Sequence, residues 1–364
     1  MPLQITVKMW LRILISLKKQ QNSLVNKFGC LNYRRCIMKR IVTYILAMLL
    51  CIVGLAGCST ASNGSASASD KILFCLSSSS DVFLGTLVNG AQEYANTNQI
   101  ELTVEDGQSS IETQVSQIKN AKAQGYTAII CNMIDTDTAL QIMAAADGLP
   151  IVFINRSPKE KLLKENQYIY VGSDESISGA LQAEYLANYF KEKGLTSVNA
   201  VLMEGEKGHP GATSRTEAVK AGLKEAGIDV TYVFDDTADW SQDKAKSMFQ
   251  TFLKTKCDFD CIISNNDTMA LGVIEACKEK GIDLTDIPVV GIDGIQDACI
   301  AIQNKIMNFT VLQSATGQGK AAIEAAVALS NDKSIENIEY ASENKYIWVP
   351  FEGISLDNVS SYLN

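Results

Sequence analysis

From Lys71 onward, short apolar runs alternate with stretches of helical periodicity. Residues 72–76, 100–104, 127–131 and 151–154 are brief and largely apolar, the pattern of parallel strands buried on both faces. Residues 83–94, 112–124 and 137–146 between them predict helices. The rhythm resumes at 198–203 and continues through strands at 230–234, 261–263, 289–292 and 309–312. The helix from Gln242 has the clearest pattern, because Ala245, Met248, Phe249, Phe252 and Leu253 fall on one stripe. Gly227 and Gly281 stand where a left-handed residue commonly ends a helix.

Strands alternating with helices predict an α/β chain with parallel sheets covered on both faces. Its length after residue 70 exceeds what one core usually organises, so two lobes are expected. The seam falls near Val171-Gly172-Ser173. A last helix at 317–329 and a strand at 345–349 are expected to return to the first lobe. The segments are then 71–173 with 316–348 for the N-terminal lobe, and 174–315 with 349–364 for the C-terminal lobe. Two open sheets facing each other place the carboxyl ends of their strands around one cleft, where such folds bind ligands.

The chain before residue 70 has a different character. Met38-Lys39-Arg40 opens an apolar run that ends in Leu55-Ala56-Gly57-Cys58. A basic start, a short apolar stretch and small residues before a cysteine predict an export signal. The ending resembles a bacterial lipobox, which implies a lipid on Cys58 and attachment to membrane lipid outside the cytoplasm. An uncleaved anchor is the alternative, but the run falls short of the ~20 residues that span a bilayer. Residues 1–37 read as an extension before the true start at Met38, and 1–57 as leader. Residues 58–70, rich in Ser, Ala and Gly, read as a flexible tether.

Charge sharpens this picture. The first 57 residues hold 9 of the 32 Lys and Arg and none of the 41 Asp and Glu. Processing would leave 23 basic against 41 acidic side chains, a formal charge of −18. That argues against nucleic acid and anionic lipid as partners, because both are held by clustered cations. Four of the ten cysteines lie in the leader and at its end, at Cys58. Cys75, Cys131, Cys277 and Cys299 read as small core residues. Cys257 and Cys261 have the spacing of a disulfide or half a metal site, with no second pair nearby.

The residues just after the strands form the candidate site: 77–83, Asn155 and Arg156, 206–215, 236–240, 265–267, Asp293 and Gln313. They are carboxylates, amides, a guanidinium, one imidazole and aromatic rings. His209 is the chain's single histidine, which leaves no serine nucleophile with a histidine base. No metal cluster and no phosphate-cradling glycine loop stand out. The set suits a neutral polyol, whose hydroxyls both donate and accept and whose ring faces stack on aromatic side chains. Phe83 and Trp240 are the candidate covers.

Taken in order, several motifs resemble periplasmic glucose/galactose-binding proteins. They are Phe153-Ile154-Asn155-Arg156, Tyr170-Val171-Gly172-Ser173-Asp174, Gly205-Glu206-Lys207-Gly208-His209-Pro210 with Arg215, Asp236-Thr237-Ala238-Asp239-Trp240, Asn265-Asn266-Asp267 and Gly291-Ile292-Asp293. The resemblance covers nearly all of 71–356. It implies two Rossmann-like lobes, a three-segment hinge, closure around one hexose, and delivery to an ABC permease by a monomer without cofactor. It also implies roles. Asp81 would grip a hydroxyl from the first lobe, Phe83 and Trp240 would stack, and Asn155 and His209 would meet the hydroxymethyl oxygen. Arg215, Asn266 and Asp293 would read the middle hydroxyls, with Gln313 at a family asparagine. Asp267 is expected to cap the helix that follows it.

Two departures stand out. Gly211 replaces a family aspartate near the anomeric hydroxyl, which predicts room for water or for a ring substituent, as in a small glycoside. Gly194-Leu195-Thr196-Ser197 replaces an acidic calcium loop, so no calcium is expected. Other functions stay open. The same lobes could present sugar to a histidine kinase or chemoreceptor. Asp81 and Asp293 could form a hydrolytic carboxylate pair. A repressor core of similar shape would need a DNA-binding helix pair before the first lobe, where this chain has an export signal.

Overall fold

A computed structural model describes residues 70–363. The export signal, Cys58 and nearly all of the tether lie outside the described residues. In chain order the first part runs β1 (Lys71–Leu76), α1 (Val82–Thr97), β2 (Glu101–Asp106), α2 (Ile111–Ala121), β3 (Ala128–Cys131), α3 (Ala139–Ala145), β4 (Ile151–Ile154) and β5 (Tyr168–Gly172). The second runs α4 (Glu175–Glu192), β6 (Ser197–Glu204), α5 (Pro210–Glu225), β7 (Asp229–Thr237), α6 (Gln242–Phe252), β8 (Cys261–Ser264), α7 (Asp267–Lys280), β9 (Val289–Asp293), α8 (Gln296–Gln303) and β10 (Phe309–Gln313). The last runs α9 (Ala315–Ser330), β11 (Ala341–Ser342), β12 (Tyr346–Trp348) and β13 (Phe351–Ser355).

These strands build two sheets, ordered β11-β12-β5-β4-β3-β1-β2 and β13-β10-β9-β8-β6-β7. All neighbours pair in parallel except β11 with β12 and β13 with β10. The central strands β3, β4, β8 and β9 are buried at every residue, as expected where helices cover both faces. On α6, Ala245, Phe249 and Phe252 are buried, while Met248 and Leu253 are half-buried at the edge of the stripe. Gly227 and Gly281 are left-handed, at φ 80° and 68°.

The chain crosses between sheets three times: after β5, after β10 and after β12. The crossings are tied together. Ser173 Oγ donates to the Val349 carbonyl at 2.6 Å and accepts from Gln318 Nε2 at 3.1 Å, and Val349 N donates to the Gly172 carbonyl at 2.8 Å. Ser173 and Gln318 are buried, so these bonds hold three strands of hinge in one register.

Two helix pairs flank the hinge, and each meets at glycine. A Cβ on Gly319 of α9 would stand 2.3 Å from the Leu87 carbonyl of α1, and one on Gly179 of α4 would stand 2.3 Å from the Arg215 carbonyl of α5. Gly179 thus lets α5 approach closely enough to bring Arg215 against the start of α4.

The expected layout lacked its last strand. The final strand β13 pairs antiparallel to β10 and closes the second sheet, which a five-residue run of mixed burial did not announce. Segment 194–197 is a tight turn from α4 into β6, with Gly194 at φ 69°. Cys257 and Cys261 are both free thiols; Cys261 is buried in β8 and Cys257 is exposed.

Candidate functional site

Every expected site residue lies at or just beyond the carboxyl end of a strand, and all ten line one cavity between the lobes, joined by Leu84. The first lobe contributes Asp81 and Phe83 after β1, and Asn155 and Arg156 after β4. The second contributes His209 and Arg215 after β6, Trp240 after β7, Asn266 after β8, Asp293 at the end of β9 and Gln313 at the end of β10. The cavity is a narrow slot of about 40 Å³, room for a few waters. It adjoins a chamber of about 180 Å³ on the hinge side, which shares Asn155, Arg156 and His209 with it. A hexose therefore enters only if the lobes part.

Three of the ten side chains also cap helices. Asp81 Oδ1 accepts from Leu84 N at 2.9 Å, His209 Nδ1 accepts from Gly211 N at 3.0 Å, and Asn266 Oδ1 accepts from Met269 N at 2.9 Å. Each bond fixes what the remaining atoms can do. Asn266 turns its amide nitrogen, a pure donor, toward the slot. His209 accepts at Nδ1, so its neutral ring carries the proton on Nε2 and donates there. Burial, with the charges of Arg156 and Arg215, holds the His209 pKa down at about 3, so the ring is neutral at physiological pH.

The cap of α7 differs from expectation. Asn266 performs it, not Asp267. Asp267 is fully buried and holds β10 and the start of the α8 loop instead, accepting from Thr310 Oγ1 at 2.7 Å and Ile295 N at 3.0 Å. Burial pushes its pKa up to about 7, against those hydrogen bonds.

Trp240 rests on Gly205. A Cβ on Gly205 would lie 2.1 Å from the indole, so only glycine admits the ring there. The indole meets the His209 ring edge-on at 5.1 Å and has the Arg215 guanidinium 5.6 Å from its centre. Asn155, Trp240 and Asp293 all have positive φ, 64°, 64° and 120°. Strained backbone at three residues lining one slot is the pattern of a site whose geometry is over-determined by its surroundings. Asn155 is held by Tyr170 Oη on its carbonyl at 3.1 Å and by buried Asn132 Nδ2 on its Oδ1 at 3.1 Å.

Arg215 is 5% exposed and fully engaged within the protein. Its Nε donates to Glu175 Oε2 at 2.6 Å, and Nη2 to Glu175 Oε1 and Gln313 Oε1, both at 3.1 Å. Nη1 donates to the Asn265 carbonyl at 2.7 Å and to Asp293 Oδ1 at a long 3.5 Å. Gln313 Nε2 also donates to Glu175, at 3.0 Å. Burial would pull the guanidinium pKa down, but Glu175 and Asp293 more than offset it. Burial pushes the Asp293 pKa well up; Arg215 opposes this, and the neighbouring acids Asp267, Asp81 and Glu175 add to it.

Glu175 was not among the expected site residues. It opens α4 directly after the first hinge crossing, where an acid reads as a helix-start residue. Its carboxylate answers the question raised by Gly211. A Cβ on Gly211 would sit 3.1 Å from the His209 ring and 3.6 Å from the Glu175 carboxyl carbon. The space next to the glycine is occupied by Glu175 and His209; the expected opening is confined to the chamber, which Gly211 also lines. Across the slot, Arg156 Nη2 reaches Glu206 Oε2 of the second lobe at 3.2 Å, while its Nη1 donates to the Ile134 carbonyl at 2.6 Å.

A family model described as a periplasmic binding protein domain matches residues 72–334. The chain belongs to the type I periplasmic sugar-binding protein family. It is 33% identical over 285 residues to a putative rhizopine-binding protein of Rhizobium meliloti, covering 76% of this chain and 88% of that protein. It is 32% identical over 276 residues to a D-galactose/methyl-galactoside binding periplasmic protein of Haemophilus influenzae, covering 72% and 82%. Among solved structures it is similar to an ABC transporter solute binding protein from Bacillus halodurans with bound myo-inositol: TM-score 0.71, 29% identity, 82% of this chain and 99% of that one. Among the described residues no helix is long and apolar enough to cross a membrane.

Proposed function

We propose that this protein captures one monosaccharide-sized polyol outside the cytoplasm, with a hexose or small hexoside as the leading class, and hands it to an ABC permease. The carrying observation is convergence. Seven strand ends of two sheets send ten polar or aromatic side chains into one slot between lobes joined by a hinge. Ligand bridging both lobes favours the closed arrangement by its differential affinity for it. The polar set is arranged for ground-state hydrogen bonding rather than bond-making. A relative named for D-galactose and methyl-galactoside, and a similar solved structure with bound myo-inositol, support a ring polyol as the ligand class. The hinge-side chamber is the place for a substituent on that ring.

A thermal-shift panel of hexoses, pentoses, inositols and methyl glycosides on the full-length chain tests the reading. At least one ring polyol should raise the melting temperature, with dissociation constants at or below the micromolar range by titration. No response across the panel would overturn it. Cys58 is proposed as the lipid-bearing residue. Cys58→Ser should release the protein from membranes in cell fractionation, and retention would argue for an uncleaved anchor.

A further inference from the structure

A guanidinium has five N–H donors, and the protein occupies all five of Arg215's. Two meet the Glu175 carboxylate, Nε at 2.6 Å and Nη2 at 3.1 Å. Two more meet the Gln313 side-chain oxygen at 3.1 Å and the Asn265 carbonyl at 2.7 Å. The fifth reaches Asp293 Oδ1 at 3.5 Å, the longest of the set. Asp293 lines the slot, so this loose ion pair is where a ligand hydroxyl can enter the cluster, accepting from Arg215 and donating to Asp293. The looseness has a visible cause. Glu175 grips one edge of the planar guanidinium with both oxygens, Nε and Nη2, while Asp293 meets it at Nη1. Glu175 is itself held in place. Asp174 caps α4 just before it, and Gln313 Nε2 donates to it at 3.0 Å. Gly211 leaves it room, since a Cβ there would already stand 3.6 Å from the Glu175 carboxyl carbon.

Resting on the polyol reading above, we infer that Glu175 is a positioning residue for polyol binding: it holds Arg215 off Asp293 and so keeps that pair open to a ligand hydroxyl. A guanidinium released from Glu175 has Asp293 as its remaining carboxylate partner, already in contact. A close pair there would use up the acceptor that the hydroxyl needs. The hinge-side chamber makes the role accessible to experiment. Glu175 lines that chamber beside Ser173, Gly211 and Ser214, and its volume of about 180 Å³ admits a small carboxylate from solution. Truncating Glu175 to alanine removes one methylene and one carboxylate, close to the atoms of an acetate ion. Acetate can therefore refill the site and grip Arg215 in the missing side chain's place.

Calorimetric titration of the full-length chain at pH 7 tests this with the tightest binder among D-glucose, D-galactose, myo-inositol and the pentoses and methyl glycosides of the panel above. In Glu175→Ala, affinity should fall by about tenfold or more, as expected for losing buried charge-assisted bonds. Acetate in the tens of millimolar should recover most of that loss, measured against sodium chloride at equal ionic strength. Acetamide, of the same shape but neutral, should recover none, and Glu175→Asp should bind more tightly than Glu175→Ala. A second readout needs no polyol: acetate should raise the melting temperature of Glu175→Ala in a saturable way and leave wild type unchanged. Should Glu175→Ala not fold, Glu175→Gln, which keeps the size and removes the charge, takes its place and should lose affinity while Glu175→Asp keeps more of it. Wild-type affinity in the alanine or glutamine variant overturns the inference and leaves the polyol reading intact. So does a loss that neither acetate nor Glu175→Asp repairs, because it assigns Glu175 to packing alone. Binding of no panel member by wild type overturns the polyol reading and this inference with it.

Discussion

Trp240 depends on what lies beneath it. The indole sits on Gly205 with no space for a Cβ, so Gly205→Ala should displace the ring while leaving every polar group of the slot in place. Trp240→Ala should lower polyol affinity ten- to a hundredfold, roughly 1.4–2.8 kcal/mol, and Gly205→Ala should lose a substantial part of the same amount. Titration calorimetry of the two variants decides it; full affinity in Trp240→Ala would remove the indole from the ligand. Asp267 offers a test by pH. Its folded pKa, about 7, lies above the usual 3.8, so the unfolded chain releases its proton first as pH rises. Stability from this group is therefore lost between pH 4 and 7. His209 works the other way over much of that range, because its folded pKa of about 3 lies below 6.5 and stability is lost as pH falls. The two oppose each other in the wild type, so the difference must be read in a variant. The melting temperature of Asp267→Asn relative to wild type should rise steadily from pH 4 to 7, and a flat difference would refute the assignment. Residues such as Trp240 and Asn155 were legible in the sequence because they follow strand ends. Glu175 was not, because its role exists only where α4 meets α5, forty positions later in the chain.

At the scale of elements, the site is made from helix beginnings. Asp81, His209 and Asn266 start α1, α5 and α7, and each uses one side-chain atom on its own helix and offers another to the slot. Helix formation therefore orients the slot-facing atom of each side chain. Asn266 separates the two duties. Asn266→Asp keeps an acceptor for Met269 N and should leave the melting temperature within a degree or two of wild type. It replaces the amide donors with a carboxylate, so polyol binding should fall at least tenfold. Asn266→Ala removes the cap as well and should cost about 1 kcal/mol of stability. Chemical denaturation beside ligand titration checks both; equal binding by Asn266→Asp and wild type would place the amide outside the site. Strand and helix alternation was readable because buried parallel strands are apolar throughout. The cap was misassigned by one residue because Asn and Asp are near-equal caps, and only the buried bonds of Asp267 to Thr310 and Ile295 distinguish them. Strand β13 gave little signal because an edge strand with one residue fully buried lacks a continuous apolar run.

At the scale of the whole molecule, the two sheets followed from the rhythm of the chain, and the hinge and closure from resemblance; the contact that bridges the lobes could not be read from either. It depends on side chains fifty positions apart meeting across the cleft, as Arg156 and Glu206 do at 3.2 Å. Arg156 is mostly buried and anchored to the Ile134 carbonyl, while the Glu206 side chain is 46% exposed. A pair so exposed contributes on the order of 0.2–1 kcal/mol, enough to shift a closed–open equilibrium by a few-fold and no more. Ligand must supply the rest through contacts made to both lobes. Glu206→Ala removes the pair without touching any other hydrogen bond of the slot. The ligand-free variant should therefore spend more time open, with a larger radius of gyration by small-angle scattering, and should release polyol two- to fivefold faster in stopped-flow fluorescence of Trp240. Association should change little, since the open form is the one that ligand enters. If both radius and release rate match wild type, the ion pair merely accompanies closure. The hinge bonds of Ser173, Val349 and Gln318 would then be the next contacts to test.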